Sequence, residues 1–144
     1  MGHATTRRKA IDVARVREAV EAAERITSAE ILVSIAPFFL GRVWPAARRA
    51  FVRLGVANTR ERNGVLVFVV PTRRQVVVLA DDGAAARIDP AIWRDATARI
   101  AAAFASGHAT AGLVDEIGRL ARVLAGPFPY HPADVNELPD QLHL

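Results

Sequence analysis

Cysteine is absent from the 144 residues of this chain, which excludes disulfides, thiolate metal ligands and cysteine nucleophiles. Long apolar runs are missing as well. The longest, residues 65–71, falls far short of the ~20 residues that a membrane-spanning helix needs. Residues 10–26 follow a basic start but are interrupted by charges, unlike the apolar core of a signal peptide. We therefore expect a cytoplasmic protein with neither a signal peptide nor an integral membrane segment.

Sequence patterns of known catalytic sites are also lacking. There is no Gly-x-Ser-x-Gly, no phosphate-binding glycine loop and no Gly-x-Gly-x-x-Gly. The histidines lie near the termini or in a loop, without the helical His-x-x-x-His spacing of a metal site: His3, His108, His131 and His143. The sequence therefore assigns no catalytic residue, and we favour a protein without enzymatic activity.

Positive charge is abundant and unevenly distributed. Of the 19 basic residues, 18 are arginine. Residues 1–74 carry 14 basic and 6 acidic side chains, whereas residues 75–144 carry 5 basic and 9 acidic ones. A basic half can attract nucleic acid, anionic lipid or an acidic partner. Because the arginines are scattered and no row of aromatic residues accompanies them, the preferred interpretation is a solvated surface in a chain rich in arginine and alanine. Nucleic-acid binding is the least favoured function.

Apolar spacing predicts alternating helices and strands. Two apolar segments joined by four residues predict an antiparallel hairpin, and Asp89-Pro90 is typical of a helix start. In the second helix, Trp44 is expected on the buried face with Ala47, and Thr110 is expected to cap the fourth helix. The predicted helices cover residues 10–26, 44–54, 89–105 and 110–124, and the predicted strands cover residues 31–35, 65–70 and 75–80.

The segment between the first strand and the second helix is unusually apolar. It contains Phe38, Phe39, Leu40 and Val43. The preferred interpretation is a loop that folds back on the core. The alternative is an exposed docking patch for a protein partner, because soluble proteins seldom display contiguous apolar clusters.

A cluster of carboxylates suggests a cation site. Asp81 and Asp82 follow the hairpin, and Asp89 and Glu30 are candidate neighbours. Hard cations such as calcium or magnesium take several oxygen ligands, so these four residues could bind one, although no cofactor is required. The alternative is a polar turn, with Asp89 as a helix cap and Glu30 satisfied by an arginine.

Four arginines flank the predicted hairpin and form a candidate anion site. If they converge, they could hold a phosphate or a carboxylate. The alternative, which we prefer, is that they are solvated surface residues. The four are Arg60, Arg62, Arg73 and Arg74.

Three short motifs, in this order, resemble those of the TPM domain family. They are Thr27-Ser28-Ala29-Glu30-Ile31 before the first strand, Asn63-Gly64-Val65-Leu66 at the second, and Phe104-Ala105-Ser106-Gly107 followed by Gly112-Leu113. The resemblance covers about residues 10–125. The segment Asp134-Val135-Asn136-Glu137-Leu138-Pro139-Asp140 is also similar to the tail of short bacterial members without membrane anchors.

The resemblance implies an α/β fold, a single-layer mixed β-sheet with a central hairpin flanked by about four helices. Residues 126–144 hold four of the eight prolines, so we expect three parts in the chain: a disordered N-terminus (1–9), the domain (10–125) and a Pro-rich extended tail (126–144). Family members include acid phosphatases, proteins that bind a divalent cation such as calcium, and accessory proteins of membrane complexes.

Three functions follow as hypotheses from the residues and the resemblance together. The first is a non-enzymatic interaction or accessory module for a membrane-associated partner, peripheral at the inner membrane face. The second is a weak divalent-metal-dependent acid phosphatase. The third is a nucleic-acid binder, which the sequence pI of 10.9 motivates.

Overall fold

The computed structural model describes residues 11–131 and 142–143. In these residues the helices are α1 (Val13–Glu24), α2 (Val43–Arg53), α3 (Asp82–Arg87), α4 (Pro90–Ala105) and α5 (Ala109–Leu124). The strands are β1 (Ile31–Ile35), β2 (Val65–Val70), β3 (Gln75–Ala80) and β4 (Leu142–His143). The predicted disordered N-terminus and most of the predicted tail lie outside the described residues, so the proposed domain boundaries remain predictions.

The strands form one mixed sheet in the order β3-β2-β1-β4. β1 runs parallel to β2, with Ile31 opposite Val65, and β4 runs parallel to β1. β3 returns antiparallel to β2 after a short 3-10 turn that ends on Arg74, whose φ is +53°. The predicted α/β class and the antiparallel hairpin are both confirmed.

Strand β2 is buried along its whole length because helices cover both faces of the sheet. Alternate residues of β1 and β2 face opposite layers, as the two-residue period of a strand requires. Val33 and Val67 join the core beneath α1, α4 and α5. Leu32 and Leu66 join a second, smaller core beneath α2. Helix α2 thus covers one face of the sheet, and three longer helices pack on the other.

Three details of the helices differ from the sequence-based expectation. Helix α3 was not predicted, because six residues rich in alanine and starting Asp-Gly resemble a turn. Helix α5 begins at Ala109 without a side-chain cap. Thr110 instead accepts a hydrogen bond from the backbone N–H of Asp12 (3.0 Å), and Asp12 caps α1. The hydroxyl of Thr110 therefore links two helices rather than starting one.

Candidate functional site

Two groups of candidate residues lie at opposite ends of the strands. Because β1 and β2 are parallel and β3 is antiparallel to them, the starts of β1 and β2 meet the end of β3. This end, which we call the acidic end, carries Glu30, Asn63, Asp81 and Asp82. The other end carries the loop of residues 36–42, the 3-10 turn and the start of α2. We call it the basic-aromatic end.

Backbone hydrogen bonds set the spacing of the acidic end. The N–H of Val65 donates to the carbonyl of Glu30, and the N–H of Asp81 donates to the carbonyl of Gly64, both at 2.8 Å. The side chains of Glu30 and Asp81 are buried. Two carboxylates are thereby held away from water at the same end of the sheet, on either side of β2, and each needs a polar partner.

Asp81 has that partner in Arg62. Nε of Arg62 donates to Oδ2 of Asp81 at 2.7 Å, and Nη2 donates to Oδ1 at 3.0 Å, a two-pronged ion pair. The same Oδ1 accepts the backbone N–H of Asp82 at 2.9 Å and so caps α3. Arg62 adopts φ +52°, a conformation uncommon for a residue with a side chain.

The ion pair shifts the titration of both partners. Burial disfavours the charged form of Asp81, but the hydrogen bonds from Arg62 and from the N–H of Asp82, with the charge of Arg62, outweigh burial and lower its pKa. The hydrogen bond to Asp81 and its negative charge raise the pKa of Arg62. Asp81 is therefore held ionised, and its charge is already balanced within the protein.

Close backbone packing explains why a glycine follows the two aspartates. The N–H of Ala84 donates to the carbonyl of Arg62 at 3.1 Å, which brings the start of α3 onto the preceding loop. A Cβ at Gly83 would lie 2.1 Å from the carbonyl oxygen of Glu61. No side chain fits at that distance, so the ion pair depends on glycine at this position.

The four predicted cation ligands do not form one cluster in the described residues. The side chain of Asp82 is 94% exposed. Asp89 caps α4 by accepting the N–H of Ala91 at 2.9 Å, as the alternative interpretation expected. No group of three acidic, histidine or cysteine side chains suited to a metal occurs within residues 11–131.

One observation at the acidic end still points to a missing polar contact. Oδ1 of the buried Asn63 has no hydrogen-bond partner. A cation held there by Asn63, Glu30 and Asp81 would have to displace the guanidinium of Arg62, which occupies both oxygens of Asp81. The arrangement as it stands does not fit a cation, and metal binding remains a prediction.

The structure separates the four arginines of the predicted anion site into two pairs. Arg60 and Arg62 precede β2 at the acidic end, and Arg73 and Arg74 follow it at the other end. Six residues of strand place roughly 20 Å between the pairs. The convergence on which the site depended does not occur, because a strand rather than a loop joins them.

The loop of residues 36–42 divides its apolar residues between core and surface. Phe39 packs against Phe68, with ring centroids 6.4 Å apart, and Val43 is buried in the smaller core. Phe38 is 70% exposed and Leu40 is 83% exposed. Phe39 and Val43 therefore fold back on the core, whereas Phe38 and Leu40 are exposed, and docking of a partner on them stays a prediction.

Arg73 fixes this loop from the β2–β3 turn. Its Nη1 donates to the carbonyl of Gly41 and its Nη2 to the carbonyl of Phe39. Its guanidinium also lies 4.6 Å from the centroid of the Phe39 ring. With Phe39 held inward, its neighbours Phe38 and Leu40 are exposed on a loop with a fixed backbone.

The outer side of α2 continues the exposed apolar surface. Trp44 is 54% exposed and Val52 is 74% exposed, whereas Val43, Ala47 and Ala50 are buried. The expectation that Trp44 lies on the buried face was wrong by one helical position, because Val43 already belongs to the helix. The apolar residues at positions 43, 47, 50 and 54 are spaced by three or four and form the buried side of α2.

Arginines surround these side chains. The guanidinium of Arg48 lies 5.3 Å from the Trp44 ring centroid. A hollow of about 310 Å³ brings Leu40 beside Arg49 and Arg53. A second, of about 560 Å³, brings Trp44 beside Arg42, Arg73 and Arg74. We define the basic-aromatic face as Phe38, Leu40, Trp44, Val52 and these six arginines: Arg42, Arg48, Arg49, Arg53, Arg73 and Arg74.

The basic-aromatic face is poor in negative charge. Residues 31–60 contain five arginines and no aspartate or glutamate. Within residues 11–131 none of the six arginines forms an ion pair with a carboxylate. A surface that carries cations without internal counter-charges attracts anions from outside.

No helix among the described residues has the length and apolar character to cross a bilayer.

Comparison with known proteins identifies the family. No curated protein matches the chain. The NMR structure of the BA42 protein from the psychrophilic bacterium Bizionia argentinensis is similar, with 29% identity, a TM-score of 0.82 and coverage of 92% of this chain and 94% of that one. The family model described as TPM domain matches residues 9–123, and the chain therefore belongs to the TPM domain family.

Proposed function

We propose that this chain is a non-enzymatic accessory module that docks on a membrane-associated partner through the basic-aromatic face. The observation that carries the proposal is the exposure of four large apolar side chains among arginines that have no carboxylate partner in the described residues. Exposed apolar clusters rimmed by polar residues are typical of interaction surfaces.

The fixed backbone of the loop supports the same proposal. A loop that merely filled space would turn Phe38 and Leu40 inward, as it turns Phe39 against Phe68. Instead Arg73 binds two of its carbonyls and holds it in place. A surface that is ordered before it binds loses less conformational entropy when it does bind.

Fractionation of cells that express the chain tests this function. The wild-type protein is expected to sediment with membranes, and Phe38→Ser/Leu40→Ser is expected to move to the supernatant. Ile26→Ser, which alters an exposed apolar side chain in the turn after α1, serves as the control and is expected to sediment like wild type. Equal distribution of all three proteins in the supernatant would refute the proposal.

The alternative function, a divalent-metal-dependent phosphatase, would use the acidic end. It is favoured by one observation, the buried Oδ1 of Asn63 without a partner. It requires turnover of a phosphate monoester that a chelator abolishes and that Asp82→Asn reduces. Turnover that survives the chelator would remove this alternative.

A further inference from the structure

We propose that the partner of the basic-aromatic face is the anionic phospholipid surface itself, contacted without an intermediary protein. This inference rests on the proposed function and names the ligand chemistry of the same surface. Arginines would bind lipid phosphates while Phe38, Leu40 and Trp44 enter the interfacial region of the bilayer.

The chemical composition of the face matches that region. Tryptophan and phenylalanine rings prefer the level of the headgroups, where one side is apolar and the other is wet. Trp44 and Val52 lie two helical turns apart on α2, and Arg48 lies between them on the same side. A basic helix with aromatic and aliphatic residues on its exposed side is typical of elements that lie in the membrane interface.

The second hollow offers hydrogen-bond donors for a phosphate group. Its lining includes Arg42, Arg73, Arg74 and Trp44. The planar guanidinium donates two parallel hydrogen bonds to phosphate oxygens, which gives arginine an advantage over lysine at such sites. Arg73 uses one N–H of each terminal nitrogen on the loop carbonyls, so donors remain for an anion.

Charge complementarity favours a lipid surface over a second copy of this chain. The 31–60 segment has no acidic residue, so two such faces would repel each other. Phe38 and Leu40 are separate protruding side chains on either side of an inward-facing Phe39. Protruding apolar residues among cations suit shallow insertion into a fluid interface, which needs no complementary pockets.

Tryptophan fluorescence can detect this contact. Trp93→Phe leaves Trp44 as the single tryptophan of the chain. We expect its emission to shift to the blue on addition of vesicles made of equal parts phosphatidylcholine and phosphatidylglycerol, and not with phosphatidylcholine alone. Added salt is expected to reverse the shift, because the attraction to an anionic surface is screened.

Paired arginine variants test the role of charge. Arg49→Gln/Arg53→Gln is expected to weaken vesicle binding about thirtyfold, since each arginine near an anionic surface contributes about fivefold. Arg15→Gln/Arg17→Gln makes the same change of net charge on α1, which packs on the opposite face of the sheet and contributes no residue to either hollow. This control is expected to bind within about twofold of wild type, because its arginines lie away from the surface.

The outcomes separate this inference from the proposed function. Binding to both vesicle types alike, or an equal loss in both arginine pairs, overturns the lipid inference. Soluble glycerophosphoglycerol that shifts Trp44 as fully as vesicles do would also overturn it, because the ligand would then be a free phosphate ester. If wild type sediments with cell membranes but ignores protein-free vesicles, the lipid inference fails and docking on a membrane protein stands.

Discussion

The two ends of the sheet use arginine in opposite ways. At the acidic end Arg62 is matched to the buried carboxylate of Asp81 at 2.7 Å, and the backbone closes tightly around the pair. On the basic-aromatic face six arginines have no carboxylate partner in residues 11–131 and surround exposed apolar side chains. Internal charge pairing stabilises a fold, whereas charge without an internal partner is available to a ligand.

This difference predicts that substitutions at the two ends have different consequences. Changes at the acidic end should reduce the free energy of unfolding. Changes to the exposed apolar side chains of the basic-aromatic face should leave stability nearly unchanged and reduce membrane association.

Gly83→Ala should have the largest effect on stability. Helix propensity alone predicts that alanine stabilises a helical glycine position by about 1 kcal/mol. Because the new Cβ would lie 2.1 Å from the carbonyl of Glu61, we expect a loss of about 3 kcal/mol instead. Gly118→Ala, in α5 with only the flexible end of Arg122 nearby, is the control and should be stabilising. Urea unfolding of both variants measures the change in the free energy of unfolding and its sign. A stabilised Gly83→Ala would show that the start of α3 is not packed as described.

Asp81→Asn should cost about 2 kcal/mol, through the lost ion pair and weakened cap. Asp82→Asn, at an exposed side chain, should stay within about 0.5 kcal/mol of wild type. The folded pKa of Asp81 is lowered, so its stabilising contribution is present above the unfolded pKa, about 3.8, and is lost as pH falls through the folded value. As pH is lowered, the free energy of unfolding should therefore fall less steeply in Asp81→Asn than in wild type. The same pH dependence in both proteins would contradict the ion pair.

Arg73→Met should cost about 1 kcal/mol, because two hydrogen bonds and a ring contact are lost. Amide hydrogen exchange of residues 38–42 should accelerate, while residues 60–64 at the acidic end stay protected. Arg74→Met, which removes a neighbouring charge without those contacts, is the matched control. Equal protection of the loop in both variants would mean that Arg73 does not fix it.

Phe38→Ser/Leu40→Ser should change the free energy of unfolding by no more than about 0.5 kcal/mol, because both side chains are already exposed. Phe39→Ser, one position away, should destabilise by several times that amount, since its ring packs on Phe68. Thermal unfolding measures the effect on stability, and the fractionation assay measures the effect on membrane association. A destabilised double variant would place these residues in the core.

Cations should produce the smallest effect. With Asp81 paired to Arg62, millimolar calcium or magnesium should stabilise wild type by less than about 0.4 kcal/mol, the value at a concentration equal to Kd. Arg62→Met, which removes the guanidinium from both oxygens of Asp81, should respond more strongly. A large wild-type shift in melting temperature that Asp81→Asn abolishes would show that a cation displaces Arg62, and would favour the phosphatase alternative.

Local patterns were sufficient to predict much of the fold. The unbroken apolar run of β2 and the Asp89-Pro90 helix start hold in the structure because each depends on adjacent residues. The family resemblance predicted the α/β class. Helix α3 was missed because its six residues carry too weak a signal.

The site was harder to predict because its geometry depends on residues far apart in the chain. Phe38, Phe39 and Leu40 have equivalent apolar character in the sequence. Arg73, 34 positions from Phe39, decides which of them is buried. Likewise, Asp81 looked like a cation ligand until Arg62, 19 positions earlier, was placed against both of its oxygens.

The parallel pairing of β4 with β1 has a consequence for how the chain is made. Val33 lies opposite Leu142, so one edge of β1 is covered only after more than a hundred further residues have left the ribosome. Until then that edge presents unpaired backbone groups to other strands. We therefore expect the chain to be most prone to strand pairing with other chains before residue 142 has been synthesised.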